Sequence, residues 1–249
     1  MENDLTLRSI IRKLGVFKTV FLMTIVISVL SVLMAIIINY ISTAQSPGFL
    51  GIMISFLVPA VIVPLLGTSF IRLILKLDET EKKMYQMAIT DELTNVYNRR
   101  FILEILEKEM HRARRFHHKL SLIMLDIDDF KKINDDFGHL IGDDVLKELS
   151  ALCIKSMREI DYFARYGGEE FLYVFPETSK EEAAIFAERL RISLMNIEVS
   201  TGEKKIGITA SFGVTELDFE KDYIQNFIER ADMAMYEAKK KGKNVVVMK

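Results

Sequence analysis

The sequence contains no tryptophan, one cysteine and four prolines among its 249 residues. A single cysteine cannot close an intramolecular disulfide, which excludes the class of small secreted proteins held together by disulfides. Cys153 lies in an apolar segment, so we expect a small buried side chain rather than a nucleophile. The formal net charge is −2 and no basic stripe is present, so the sequence predicts no nucleic-acid partner.

Charged side chains are absent from residues 19–71, although they make up 27% of the whole chain. Within this stretch, residues 19–38 and 49–71 are each long enough to cross the roughly 30 Å hydrocarbon layer of a membrane. The interval between them is polar and contains turn-forming residues. The sequence therefore predicts a transmembrane hairpin of two helices, packed against membrane lipid.

Basic residues flank both apolar segments and predict the topology. Arg8, Arg12, Lys13 and Lys18 precede the first segment, and Arg72, Lys76, Lys82 and Lys83 follow the second. Because positive charge favours the cytoplasmic side, we expect a multi-pass protein of the bacterial inner membrane, with residues 1–18 and the C-terminal part in the cytoplasm. A signal peptide cleaved near Ser42-Thr43-Ala44 and a pair of buried core helices are alternatives, and the length of the uncharged run disfavours both.

Residues 72–90 carry apolar side chains at alternating steps of four and three. The positions are Leu73, Leu77, Thr80, Met84 and Met87. This spacing predicts a linker that forms a short parallel coiled coil or, with equal weight, a single amphipathic helix.

Two glycines and two glutamates, residues 167–170, separate two apolar segments. Residues 161–166 and 171–175 are typical of strands, and the glycines are expected to take the positive-φ positions of a tight turn. The turn would present Glu169 and Glu170 at its edge. By itself, such a turn is more often a solvated hairpin than a functional site.

A second acidic cluster follows another apolar run. Residues 122–125 predict a strand buried on both faces, and Asp126, Asp128 and Asp129 come directly after it. If this strand neighbours the hairpin, the carboxylates converge, and they stay ionised only beside a cation or a basic partner. Oxygen ligands of this kind favour Mg²⁺, which fills its remaining positions with water and substrate phosphates.

The arrangement of these motifs resembles the GGDEF family, the bacterial diguanylate cyclases, over residues 91–249. Four motifs carry the resemblance: DELTNVYNRR from Asp91, DIDDFKKINDDFGHLIGD from Asp126, GGEEF from Gly167 and ADMAMYEAKKKGKN from Ala231. The resemblance implies an α/β fold, a palm-like nucleotide-cyclase domain with a central sheet and surrounding helices, placed after the transmembrane hairpin and the linker.

The resemblance also implies an activity, the condensation of two GTP molecules into cyclic di-GMP with release of two pyrophosphates. Two Mg²⁺ or Mn²⁺ ions per active site would lower the pKa of the attacking ribose hydroxyl and hold the triphosphate. The implied metal ligands are Asp126, the carbonyl of Ile127, Glu169 and Glu170. Glu169 is the better candidate for assisting deprotonation and Glu170 the alternative, unless activation by the metal ions suffices without a base. Each site of the family holds one GTP, which implies a homodimer.

Eight residues match the family positions that bind GTP. They are Phe130, Lys131, Asn134, His139, Asp143, Gly168, Lys239 and Lys243. Among them, the lysines are the implied phosphate contacts. Asn134 and Asp143 would accept hydrogen bonds from the N1–H and N2–H₂ groups of guanine. With the wrong base, each acceptor left unpaired would cost about 1–3 kcal/mol. Without the motif, Asn134 is more simply an amide on a helix surface and Asp143 a helix N-cap.

Arg158 and Asp161 stand before the GGEEF motif at the spacing of the family's inhibitory site, which binds the product. The resemblance adds Arg189 as a third contact. In isolation, an Arg/Asp pair is usually an ordinary surface ion pair. Two other functions compete with the enzyme: a catalytically silent membrane receptor for cyclic di-GMP or GTP, and a scaffold that holds partner proteins.

The residue pattern also predicts the secondary structure of the C-terminal domain. Helices are expected at 98–117, 140–157, 180–197 and 224–241, strands at 120–127, 206–217 and 244–248, and a hairpin at 161–175.

Overall fold

A computed structural model describes residues 14–43, 48–201 and 204–249 of the chain. The chain divides into two compact units, Met1–Tyr85 and Gln86–Lys249. The predictions for residues 1–13, and for residues 44–47 in the interval between the apolar segments, lie outside the described residues.

Among the described residues, the first unit contains helix α1 (Val16–Thr43) and most of helix α2 (Phe49–Ile89). Both helices are long and apolar enough to cross a membrane, judged by length and composition, and only 6% of the most apolar window of each is buried. Helix α1 runs five residues past the predicted end of the first crossing, because its apolar face extends to Ile41. Helix α2 continues without a break through the predicted linker to Ile89.

Eight strands are found in the described part of the second unit. They are β1 (Tyr97–Asn98), β2 (Leu120–Ile127), β3 (Tyr162–Arg165), β4 (Glu170–Pro176), β5 (Glu198–Thr201), β6 (Lys204–Gly207), β7 (Ala210–Glu216) and β8 (Val246–Met248). Six of them form a mixed sheet in the order β1-β3-β4-β2-β7-β8, and β5 pairs with β6 alone. Strand β2 lies between the antiparallel β4 and β7, and all eight of its residues are buried, as its apolar run predicts.

Helices cover both faces of this sheet. They are α3 (Arg99–Phe116), α4 (Phe130–Phe137), α5 (His139–Ser156), α6 (Lys180–Leu194) and α7 (Ile224–Lys240). Alternate residues of β2 pack into two different clusters: Ile123 and Leu125 meet residues of α5 and α6, whereas Leu122 and Met124 meet residues of α3 and α7. The sheet is therefore the middle layer of a three-layer α/β domain, the class expected from the sequence.

Helix α7 approaches the sheet closely because of one glycine. A Cβ atom on Gly213 of β7 would overlap backbone atoms of Ala231 and Met235. Since the helix backbone lies against the strand here, the last turn of α7 reaches the end of β2, where it places Lys239 beside Asp126.

Most predicted elements are present with ends shifted by at most three residues, and capping side chains mark several starts. Asn98 accepts a hydrogen bond from the backbone of α3, and Ser179 forms a capping box with Glu182 at the start of α6. The single strand predicted at 206–217 is wrong. The carbonyl of Thr209 accepts from the N–H of Asp128 at 2.9 Å, and the chain divides there into β6 and β7, which belong to different sheets.

Candidate active site

The two acidic motifs meet at one edge of the sheet. Asp126, near the end of β2, is paired across the sheet with Glu170, the first residue of β4. One residue further on, the N–H of Ile127 donates to the carbonyl of Glu169 at 3.4 Å. The structure thus brings the backbones of the four predicted ligand residues to one edge of the sheet, because β2 and β4 are neighbours.

The loop that carries the glutamates differs from the expected tight turn. Neither Gly167 nor Gly168 has a positive φ, so that prediction is wrong. The loop is wider, and the N–H groups of Tyr166 and Gly167 both donate to the carbonyl of Glu170, at 2.8 and 3.1 Å. Gly167 leaves space instead: a Cβ atom there would overlap Oε2 of Glu170 and displace the end of that side chain. The glycine lets the Glu170 side chain fold over the loop.

Asp126 is a buried carboxylate, only 3% exposed, with two very different oxygens. Its Oδ2 lies 2.7 Å from Nζ of Lys239, whereas Oδ1 has no hydrogen-bond partner among the described residues. Burial raises the pKa of Asp126 to about 6; Lys239 opposes this rise, and the charges of Glu169 and Glu170 add to it. The site is therefore short of positive charge at neutral pH.

The chemistry of these residues suits a divalent cation. Three carboxylates and a backbone carbonyl form a set of hard oxygen donors, the kind that Mg²⁺ and Mn²⁺ prefer. The unpartnered Oδ1 of Asp126 supports the fit, since a buried acceptor without a donor is rare in folded proteins. Over the described ranges, no three His, Cys, Asp or Glu side chains converge as a ready-made metal cluster.

Arg165 supports the loop that carries Glu169 and was not singled out from the sequence. Its Nε and Nη2 donate to the carbonyl of Gly168 at 3.0 and 2.7 Å, and its Nη1 contacts the carboxylate of Asp91 at 3.1 Å. Asp91 in turn accepts from the N–H and hydroxyl of Thr94. This arginine ties the turn that follows α2 to the loop bearing Glu169. The sequence signal was an arginine two residues before the glycine pair.

Asp128, the middle acid of its motif, plays a structural part. Its two oxygens accept from the hydroxyl of Ser211 at 2.6 Å and from the N–H of Asn244 at 2.9 Å. It therefore fastens the end of β2 to β7 and to the loop after α7. In that loop, Lys243 lies 2.6 Å from Asp129, and the hydrogen bond to Asp129 raises the pKa of the lysine.

The predicted guanine contacts lie on the short helix α4 and the start of α5. Gly142 of α5 packs so closely on Asn134 that a Cβ atom would overlap the amide oxygen, and the ring of Phe130 lies beside them. Asp143 follows Gly142 and is half-buried inside α5; the helix N-cap is Gly138, so the capping interpretation of Asp143 is wrong. Among the other predicted contacts, Lys131, His139 and Gly168 are exposed.

The three residues predicted for product binding line one cavity of about 380 Å³. Arg158, Asp161 and Arg189 share its wall with Phe186, over whose ring the Arg189 guanidinium lies at 5.4 Å. Asp161 is buried: its Oδ2 accepts from the N–H of Arg158 at 2.8 Å, and its Oδ1 has no partner among the described residues. Burial raises the pKa of Asp161, against the effect of Arg158.

Cys153 lies outside both sites. It is fully buried beside Tyr173, and burial raises the pKa of its thiol to about 12. The prediction of a small buried side chain is confirmed.

Residues 88–245 match the family model described as "Diguanylate cyclase, GGDEF domain". The match spans well over half of the chain, and the chain belongs to this family. Response regulator PleD of Caulobacter vibrioides is 40% identical over 166 residues, which cover 66% of this chain and 37% of that protein. The chain thus spans little more than a third of this curated relative.

Two solved structures show the same fold. The coiled coil and GGDEF domain of DgcB from Caulobacter crescentus, in complex with c-di-GMP, is similar with a TM-score of 0.69 and 28% identity, covering 73% of this chain and 96% of that chain. The active GGEEF domain of a diguanylate cyclase from Vibrio cholerae has a TM-score of 0.58 and 35% identity, covering 61% of this chain and 96% of that chain. The expected palm-like GGDEF fold is confirmed.

Proposed function

We propose that this protein is a diguanylate cyclase that condenses two GTP molecules into cyclic di-GMP and two pyrophosphates. The observation that carries the proposal is the buried Asp126, which has one unpartnered oxygen and stands opposite Glu170 in a GGDEF domain. The Vibrio cholerae domain described as active carries the same GGEEF sequence. This supports the proposal that a domain with glutamate at position 169 is active.

The proposed cofactor is Mg²⁺ or Mn²⁺, two ions per active site, held by Asp126, the carbonyl of Ile127, Glu169 and Glu170. Bound ions would supply Lewis acidity that lowers the pKa of the ribose 3′-hydroxyl and balances charge on the phosphates. Glu169 is half-buried and has no ion-pair partner within the described ranges. We therefore assign it the role of the base that accepts the proton of the attacking hydroxyl, with Glu170 as the alternative.

GTP selection is assigned to the contact between α4 and α5. Asn134, held against Gly142, and the half-buried Asp143 offer acceptors that suit the N1–H and N2–H₂ donors of guanine. Phe130 and His139 complete this side of the nucleotide, and Gly168 approaches it from the catalytic loop. Lys131, Lys239 and Lys243 are the proposed phosphate contacts; two of them lie at the acidic edge already described.

Product inhibition is assigned to the cavity lined by Arg158, Asp161 and Arg189. Two guanidinium groups suit the phosphates of cyclic di-GMP, and the unpartnered Oδ1 of Asp161 suits a guanine donor. The DgcB structure, a GGDEF domain in complex with c-di-GMP, supports product binding by this fold.

We place the protein in the inner membrane through α1 and α2, with the cyclase domain in the cytoplasm. The length and apolar character of the two helices support this placement. A homodimer is proposed because two GTP molecules must face each other. Leu73, Leu77, Met84 and Met87 are all exposed along α2 and could form the seam between two copies.

The test is product identification by mass spectrometry. The full chain, purified in a mild detergent, is incubated with GTP and Mg²⁺ beside a Glu170→Ala variant. Cyclic di-GMP and pyrophosphate are expected from the parent protein only. Tight binding of cyclic di-GMP by a dimeric, folded sample that makes no product would contradict the enzyme and favour a receptor.

A further inference from the structure

The position of Lys239 at the acidic edge is not explained by a metal site alone. Its ammonium group lies 2.7 Å from Oδ2 of Asp126, and the side chains are 32% and 5% exposed. The lysine is paired with Asp126, a proposed metal ligand, and the same lysine is proposed to bind phosphate. In this position the carboxylate already offsets the charge of the lysine, which weakens its attraction for a phosphate.

Charge balance explains why the lysine takes this position. Asp126 shares its surroundings with Glu169 and Glu170, whose charges oppose its ionisation. The other nearby lysine, Lys243, is engaged by Asp129 at 2.6 Å. Within the described residues, Lys239 is thus the cation that neutralises the buried carboxylate when no metal ion is bound.

We infer that Lys239 is exchanged between two anions: it neutralises Asp126 in the cation-free protein, and a divalent cation displaces it toward the triphosphate of the substrate. This inference rests on the proposed function and deepens it. Displacement is physically simple, because the lysine side chain is flexible, partly exposed and located in the last turn of α7.

The exchange has a thermodynamic consequence. A divalent cation on Asp126 leaves Lys239 without an anionic partner, and a triphosphate provides one. Each ligand therefore creates part of the binding site of the other, so cation and polyphosphate bind with positive coupling. In the absence of a cation, the same ion pair weakens binding of polyphosphate and protects the buried carboxylate.

The first test measures binding of Mn²⁺ alone to the full chain in detergent, followed by the electron paramagnetic resonance signal of free Mn²⁺. Lys239→Met keeps the long apolar stem and removes the competing charge, and about tenfold tighter binding is expected. Lys240→Met is the matched control, since Lys240 is exposed and lies over the ring of Tyr236. Equal affinities in the two variants would overturn the exchange.

The second test reverses the roles and keeps the inference testable if Lys239→Met does not fold. Inorganic tripolyphosphate is titrated in EDTA by calorimetry. Asp126→Asn releases Lys239, and about fivefold tighter binding than in the parent is expected. Asp144→Asn, which removes an exposed acid paired with Lys147, controls for the lost charge. No gain beyond this control would contradict the exchange.

The outcomes separate the exchange from the enzyme itself. Both affinity changes without any cyclic di-GMP would leave the exchange standing and remove the proposed function. Product formation with neither affinity change would do the opposite.

Discussion

Two of the buried aspartates in the domain have similar burial but opposite electrostatic surroundings. Asp126 and Asp161 are each 3% exposed, each has one oxygen without a partner among the described residues, and burial raises the pKa of both. Asp126 faces two glutamates at the end of β2, whereas Asp161 shares a cavity with Arg158 and Arg189. The first setting attracts a cation and the second an anion.

The charged residues around a buried carboxylate determine what it binds. In a low-dielectric environment the sign of the surrounding charge determines which ligand offsets the cost of burial. In our proposal, the same residue type therefore serves synthesis at one edge of the sheet and feedback at the other site.

The sharpest test of the comparison removes the charge of each aspartate in turn and compares the activities of the two variants. Asp126→Asn should lower the rate of cyclic di-GMP synthesis by a factor of about 10³ or more, because it removes a cation ligand. Asp161→Asn should retain synthesis and lose feedback. The measurement is the initial rate of pyrophosphate release. Comparable rates in the two variants would erase the distinction.

The support of the catalytic loop gives the next largest effect. Arg165→Lys keeps the charge but loses the fork that joins the Gly168 carbonyl to Asp91, and about a 30-fold fall in kcat is expected, with a smaller change in KM. Arg100→Lys, on the exposed face of α3, is the control. A change confined to KM would instead indicate a role in nucleotide binding.

The cavity of the second aspartate predicts a moderate effect on feedback. Removing the guanidinium with Arg158→Ala should raise the cyclic di-GMP concentration needed for half-inhibition about tenfold, which corresponds to about 1.4 kcal/mol. Inhibition curves for the parent and for Lys155→Ala, an exposed position on α5, provide the reference. An unshifted curve would remove the cavity from the feedback site.

The smallest effect is on stability and has a defined pH window. Burial raises the folded-state pKa of Asp126 from 3.8 to about 6. The protonated carboxyl therefore contributes fully to the free energy of unfolding below pH 3.8, and this contribution is lost as the pH rises through about 6. In EDTA, Asp126→Asn should therefore increase the free energy of unfolding at pH 7.5 and change it little at pH 4.

Thermal unfolding followed by circular dichroism at both pH values checks this expectation. A variant that is less stable than the parent at pH 7.5 would show that the pair with Lys239 outweighs the cost of burying the charge.

The local patterns were sufficient for much of the domain. The apolar run of β2 and the motif order led to the correct elements and family, because these signals depend on near neighbours in the sequence. The short elements α4 and β1 were missed, since eight and two residues carry too little periodicity.

The sequence alone determined which side chains carry charge, where charge is absent and which segments are apolar enough to be buried. Only the tertiary structure decided what each buried charge faces. It placed Glu170 opposite Asp126, drew Lys239 onto that carboxylate from over a hundred residues away, and moved the reason for Gly167 from backbone conformation to space. Burial and the sign of the surrounding charge depend on neighbours that are distant in the chain, and those neighbours exist only in the folded protein.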